Sequence, residues 1–116
     1  MTIGDIARIL DALVLTAQDL DVRVEEAFGA DMMSDVLAFV NEKTVLITGL
    51  TNPHVIRTAE IADIGCIVFA RGKIPDEEML NMAKSRDIAV LSTQKTLYTT
   101  CGLLYQNGLR GCEKRG

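Results

Sequence analysis

The sequence has no tryptophan, a single histidine and few aromatic residues. Aromatic residues make up 4% of the chain and hydrophobic residues 48%, so any core must be built mainly from aliphatic side chains. No apolar run approaches the roughly 18 residues that a membrane-spanning helix needs. The N-terminus contains Asp5 and Arg8 within its first ten residues, which a secretory signal would not. These absences predict a soluble, cytoplasmic globular domain without membrane contact.

Clustered positive charge is also missing. The formal net charge is -4 and the isoelectric point is near 4.9. Apart from Lys114 and Arg115 at the C-terminus, the basic residues are scattered along the chain. Binding to nucleic acid requires clustered lysines and arginines that neutralise phosphates. We therefore do not expect nucleic acid as a partner.

The three cysteines are odd in number and fit no zinc-binding spacing. Cys66 lies in a predicted strand and Cys101 in a predicted helix, where buried thiols act as small apolar residues. Cys112 lies near the C-terminus and is predicted to be the exposed thiol. Since His54 is the sole histidine, the sequence predicts neither a metal nor a cofactor.

Motifs of catalysis are absent as well. We find no G-x-x-x-x-G-K-[ST] phosphate loop, no G-x-G-x-x-G after a strand and no G-x-S-x-G turn. Asp31, Ser34 and Asp35 could support acid chemistry or a hydroxyl nucleophile. However, acids at a helix start are expected as caps, and we predict that Asp31 caps a helix over residues 32–40. The protein is therefore predicted not to be an enzyme.

From residue 44 onward, continuous apolar runs alternate with helical patterns. The runs 44–48, 66–70 and 88–91 are typical of strands buried on both faces. Helix starts follow at Asn52-Pro53, at residues 75–78 and after Ser92-Thr93. Three such repeats predict a three-layer α/β/α fold with a mainly parallel sheet.

The first part of the chain is less regular. Thr2 is placed to cap a helix, residues 12–16 form a short apolar strand, and Val22 and Val24 alternate with charges as in a half-exposed strand. These elements are expected to add an extra edge to the sheet. We predict one domain over residues 1–111 and a disordered tail over residues 112–116.

Ligands of open parallel sheets bind outside the carboxyl ends of the strands. Four loops are expected there: 29–35, 49–52, 71–73 and 92–96. These loops, together with the helix that follows residues 49–52, contain backbone N–H groups at a helix start, three cations and several hydroxyls. Such groups could hold an anion. Capped turns and solvated surface charge are the alternatives. The candidate ligand-binding residues are Asp31, Ser34, Gly49, Thr51, Asn52, Arg57, Arg71, Lys73, Thr93 and Thr96.

Several segments together resemble stand-alone DRTGG-domain proteins. They are Gly29-Ala30-Asp31-Met32-Met33-Ser34-Asp35-Val36-Leu37-Ala38, Leu46-Ile47-Thr48-Gly49-Leu50-Thr51-Asn52, Arg57-Thr58-Ala59-Glu60, Arg71-Gly72-Lys73 and Leu91-Ser92-Thr93. The resemblance covers roughly residues 3–111 and implies a fold similar to the N-terminal domain of HPr kinase/phosphorylase. The name-giving motif would align near residues 49–54, where its Asp and Arg are absent.

The resemblance implies a regulatory or assembly module. Our main hypothesis is a non-catalytic module that senses a small anionic ligand, with a nucleotide as one candidate. The alternative is a module for protein interaction or dimerisation without a ligand, with Met32-Met33 and Leu103-Leu104-Tyr105 as candidate contacts. A small enzyme or serine-kinase-related protein is a third hypothesis, although the chain is expected to end where a kinase domain would begin. We expect a homodimer.

Overall fold

A computed structural model describes residues 1–113 as one six-stranded sheet flanked by helices. The strand order is β1-β5-β4-β3-β2-β6. The strands are β1 (Leu13–Thr16), β2 (Glu26–Gly29), β3 (Thr44–Thr48), β4 (Cys66–Phe69), β5 (Ala89–Ser92) and β6 (Arg110–Gly111). The helices are α1 (Ile3–Leu10), α2 (Met33–Phe39), α3 (Pro53–Ile61), α4 (Glu77–Ser85) and α5 (Leu97–Gln106).

The centre of the sheet is parallel, as the apolar runs predicted. Strands β3, β4 and β5 pair in parallel, and every residue of all three is buried. Strand β2 joins β3 in parallel, and β1 closes the other side antiparallel to β5. The predicted α/β class, the mainly parallel sheet and the extra edge formed by the N-terminal region are confirmed.

Two hydrophobic clusters lie on opposite faces of the sheet, because successive strand residues point to opposite sides. One cluster takes Val45 and Ile47 from β3 and packs them beneath α1 and α5. The other takes Leu46 from β3 and packs it beneath α2, α3 and α4. The helices therefore form one layer on each face, and the sheet is the middle layer of three.

Side-chain caps begin four of the five helices. Thr2 and Asp5 form a capping box at α1, and Asn52, Asp76 and Thr96 cap α3, α4 and α5. A hydrogen bond from the Thr2 backbone N–H, with further bonds from the Arg8 and Thr2 side chains, lowers the pKa of Asp5 to about 2. The caps Thr2 and Asn52 were predicted, and capping was the alternative to ligand binding at Thr96. Asp76 was predicted as part of an acidic helix start.

Two N-terminal expectations are wrong. Residues 22–25 do not form a strand: Val24 is buried against α1, and its N–H donates to the Met1 carbonyl at 2.7 Å. The segment makes only an isolated antiparallel bridge, between Arg23 and Thr2, and Val22 is exposed, so the strand begins only at Glu26. Helix α2 has Met32 at its N-cap with no side-chain bond, so Asp31 is not its cap.

The C-terminal end differs from expectation too. Arg110 and Gly111 pair in parallel with β2, and Cys112 is buried with its Sγ 3.2 Å from the Thr44 hydroxyl. The prediction of an exposed Cys112 is therefore wrong, since the chain continues along the edge of the sheet. The remainder of the predicted disordered tail, residues 114–116, lies outside the described residues, and the domain boundary stays a prediction.

Candidate functional site

Strands β2, β3, β4 and β5 all run in the same direction, so the segments that follow them meet at one edge of the sheet. These segments are the four loops singled out from the sequence. We call this the carboxyl edge. Because all candidate ligand-binding residues lie in these loops or in the helix turns after them, the topology gathers them on one side of the protein.

A cavity of about 290 Å³ opens at the carboxyl edge. The cavity is lined by Asp31, Gly49, Ala70, Arg71, Lys73 and Leu97. Four of these six residues were predicted as candidates from the sequence. One carboxylate, two cations and two aliphatic side chains thus surround a volume near the lower limit of small-molecule sites, which is about 300 Å³.

Asp31 joins two strand ends. Its Oδ1 accepts hydrogen bonds from the Thr48 hydroxyl at 2.8 Å and from the Gly49 N–H at 2.9 Å. The Thr48 hydroxyl in turn accepts from the Leu50 N–H at 3.1 Å. The Asp31 carboxylate therefore ties the end of β2 to the end of β3, a long-range role in place of the predicted cap. Within residues 1–113 both of its hydrogen bonds use Oδ1, so Oδ2 retains its lone pairs.

Arg71 lies in a tight turn between β4 and α4. Arg71 and Gly72 have φ of 59° and 68°, and the turn is closed by the Lys73 N–H, which donates to the Ala70 carbonyl at 3.2 Å. A non-glycine residue in the left-handed region is uncommon, and at position 72 an added Cβ would lie 2.7 Å from the Gln94 Oε1. Asp11, Asp63 and Asp87 also have positive φ, so this conformation defines the shape of the turn and does not by itself mark a site.

The loops after β4 and β5 hold each other in place. The N–H groups of Arg71 and Gly72 donate to the carbonyls of Lys95 and Thr93 at 2.8 and 2.7 Å. The Ser92 hydroxyl donates to the Lys73 carbonyl at 2.7 Å. Three cross-loop hydrogen bonds therefore fix the backbone from which the Arg71 and Lys73 side chains project.

The other predicted site residues do not line the cavity. Asn52 caps α3, and Thr96 caps α5. Thr93 is buried, and its hydroxyl donates to the Leu10 carbonyl at 2.8 Å. The remaining three, Ser34, Thr51 and Arg57, are exposed on the surface.

Leu97 and Ala70 are lining residues that sequence reasoning missed. Both belong to apolar patterns that are typical of a core. Only their position at the start of α5 and just after β4 brings them to the cavity, so no sequence signal was available to find them.

The segments predicted as an apolar contact surface divide between surface and core. Met32 and Tyr105 are each 64% exposed, whereas Leu104 is fully buried and Met33 is partly buried. Leu103 is partly buried as well, and the proposed contact at these two places stays a prediction.

Within residues 1–113, no group of three or more His, Cys, Asp or Glu side chains could hold a metal ion. Burial raises the pKa of the Cys66 thiol to about 12 and raises that of Cys101 as well. No helix among the described residues is long and apolar enough to cross a bilayer. The cytoplasmic location expected from the sequence stays a prediction.

The fold and the cavity together define a small α/β domain with a candidate ligand site at the carboxyl edge of a parallel sheet. The DRTGG domain matches residues 5–106. The chain therefore belongs to the DRTGG-domain family, as the resemblance of its segments indicated. No curated protein matches the chain.

A solved structure has the same fold. It contains the CBS and DRTGG domains of the regulatory region of Clostridium perfringens pyrophosphatase, in complex with the activator diadenosine tetraphosphate. The TM-score is 0.79 at 19% sequence identity over 93% of this chain, and at this identity the likeness shows the fold alone. This chain covers 47% of that chain, so it spans about half the length of the solved regulatory region.

Proposed function

We propose that this protein is a non-catalytic regulatory module that senses a small anionic ligand, with a nucleotide as the ligand class that fits best. The observation that carries the proposal is the cavity at the carboxyl edge, in which Arg71 and Lys73 lie beside Asp31. The solved DRTGG relative supports a regulatory role, because its DRTGG domain lies in a regulatory region that was crystallised with a nucleotide activator.

The two cations make the cavity suitable for an anion. Neither Arg71 nor Lys73 forms an ion pair within residues 1–113, so neither cation is directly paired with a carboxylate of the protein. A phosphate group would accept hydrogen bonds from both, and the guanidinium can donate in a bidentate manner. The fixed backbone of the turn at residues 70–73 means that little ordering is needed on binding.

Asp31 restricts the kind of anion. A bare phosphate would be repelled by the carboxylate in the same cavity. A ligand that carries both a phosphate and a hydroxyl or amino donor could satisfy the cations and donate to the Asp31 Oδ2. Nucleotides have this combination, since ribose hydroxyls donate to carboxylates in many nucleotide sites. Leu97 supplies an apolar wall.

The test is a thermal-shift and calorimetry series with AMP, ATP, diadenosine tetraphosphate, adenosine and inorganic phosphate. Saturation at a hundredfold excess over Kd stabilises the native state by about 2.7 kcal/mol, which a melting curve detects. We expect a nucleotide to bind more tightly than adenosine or phosphate. Arg71→Ala should weaken binding by about ten- to a hundredfold, since it removes charge-assisted hydrogen bonds.

Arg57→Ala is the matched control, because Arg57 is an exposed arginine that does not line the cavity. It should leave the affinity unchanged. If no compound binds at millimolar concentration, or if both arginine variants lose affinity equally, the proposed site is wrong. The alternative hypothesis, an interaction module without a ligand, would then be favoured.

A further inference from the structure

One side edge of the sheet is formed by an apolar strand. Strand β1 lies at the end of the strand order and pairs only with β5. Leu13 and Val14 are 59% and 42% exposed. Since successive strand residues point to opposite faces, apolar surface is exposed on both sides of the sheet at this edge. The strand contains neither lysine nor proline, the residues that commonly protect such edges from pairing.

A groove of about 480 Å³ runs between β1 and helix α4. Residues 14–17 form one wall, and the other wall is Glu77, Leu80, Asn81 and Lys84. These four helix positions have the spacing i, i+3, i+4 and i+7, so they lie on one face of α4. Its acidic and basic ends are about 10 Å apart along the axis. Within residues 1–113, neither Glu77 nor Lys84 forms an ion pair.

We propose that a second copy of this chain covers this surface, with β1 of the two copies paired antiparallel across a twofold axis perpendicular to the sheet. Such an axis keeps both α4 helices on the same face of the joined sheet and makes them antiparallel. Glu77 of one copy then faces Lys84 of the other, and the same pair repeats by symmetry. The opposite charges at the two ends of the exposed face of α4 are the reason for choosing a second copy as the occupant.

The helix contact is a necessary part of this interface. Strand β1 has four residues and its register shifts between Val14 and Thr16, so strand pairing alone adds few hydrogen bonds. When α4 of one copy packs against α4 of the other, Leu80 and Asn81 of each copy cover the groove of the other copy, and the two Glu77–Lys84 ion pairs are added. The interface is thus specific for a partner with the same helix and the same edge.

The test measures the oligomeric state of the full chain by light scattering and sedimentation over a range of concentrations. We expect a dimer that Val14→Lys converts to a monomer, because a lysine on the edge strand prevents pairing. Val22→Lys is the matched control, since Val22 is also exposed (46%) but lies outside β1 and the groove. Circular dichroism and thermal melting should establish that both variants are folded.

Charge reversal tests the orientation of the two copies. Glu77→Lys and Lys84→Glu should each weaken dimerisation about tenfold or more, because each places like charges together twice in the dimer. The double variant should restore the wild-type Kd, since the pairing is complementary again. A monomeric wild type, a dimer that is indifferent to Val14→Lys, or a double variant no better than the single ones would each overturn the proposal.

Discussion

Removal of the Asp31 carboxylate should destabilise the fold through β3, and not through the helix that follows Asp31. Asp31→Ala deletes the acceptor of the Thr48 hydroxyl and of the Gly49 N–H. Thr48 is fully buried, so its hydroxyl loses a partner that water replaces poorly, whereas the Gly49 N–H is exposed to solvent. Hydrogen bonds to charged groups contribute about 1.5–3 kcal/mol, and the exposed position of Asp31 favours the lower half of this range. We expect the free energy of unfolding to fall by about 2 kcal/mol.

A double-mutant cycle separates this role from helix capping. Thr48→Val removes the hydroxyl at nearly constant volume, and the pair Asp31→Ala with Thr48→Val should show a coupling energy of about 1 kcal/mol. Urea unfolding followed by far-ultraviolet circular dichroism measures all four proteins. Asp35→Ala is the control: this exposed acid lies in the first turn of α2 and, within residues 1–113, its side chain forms no ion pair. Its loss removes a favourable contact with the helix dipole and should cost about 0.5 kcal/mol or less.

A coupling energy near zero would refute the reasoning. If Asp31 acted on α2 as a cap, its removal would cost the same whether residue 48 is threonine or valine. A loss for Asp35→Ala as large as that for Asp31→Ala would point to the same conclusion.

Two further predictions concern the buried thiol of Cys66 and the close approach of Gly29 to Cys101. The pKa of Cys66 is raised to about 12, so the stability that depends on its neutral thiol is fully present below pH 9.0 and is lost as the pH rises from 9.0 towards 12. Urea titrations at pH 8 and pH 10 should show this alkaline loss, and Cys66→Ala should remove most of it; an identical pH dependence in the variant would contradict the prediction. Gly29→Ala would bring a Cβ to 2.7 Å from the Cys101 Sγ and should cost about 1–3 kcal/mol by overpacking. The second change Cys101→Ala should restore most of this stability, and an additive loss in the double variant would show that the close contact is not the cause.

The parallel sheet was predictable because each of its buried strands is marked by a short, continuous run of apolar residues in the sequence. Strands β3, β4 and β5 are continuous apolar runs, and the caps Asn52 and Thr96 stand directly before their helices. The interactions of Asp31 were not predictable, since its partners Thr48 and Gly49 are 17 and 18 residues away in the sequence. An acid directly before a helix usually caps that helix, and the local pattern therefore predicted a cap. Here the carboxylate instead accepts a hydrogen bond from a buried hydroxyl at the end of a neighbouring strand.

Part of the candidate site was predictable, because the loops that form it are marked by local sequence patterns, whereas the contacts of individual side chains are not. The positions of Arg71 and Lys73 follow from the rule that ligands bind at the carboxyl ends of parallel strands. That rule does not distinguish them from Arg57, which lies one turn into α3 and does not line the cavity. It also gives no indication that Thr93 is turned inward to Leu10.

The cross-loop hydrogen bonds at Arg71 and Gly72 limit how the proposed ligand could act on the protein. A loop that is already fastened does not fold when a ligand arrives, so occupancy cannot be reported by a transition from disorder to order at residues 70–73. A ligand can shift an equilibrium only by its different affinity for two states. Ligand binding at such a preformed site would therefore have to change how the whole rigid domain packs against a neighbouring domain or subunit. The free energy available for this change is at most the difference between the ligand's binding free energies for the two arrangements.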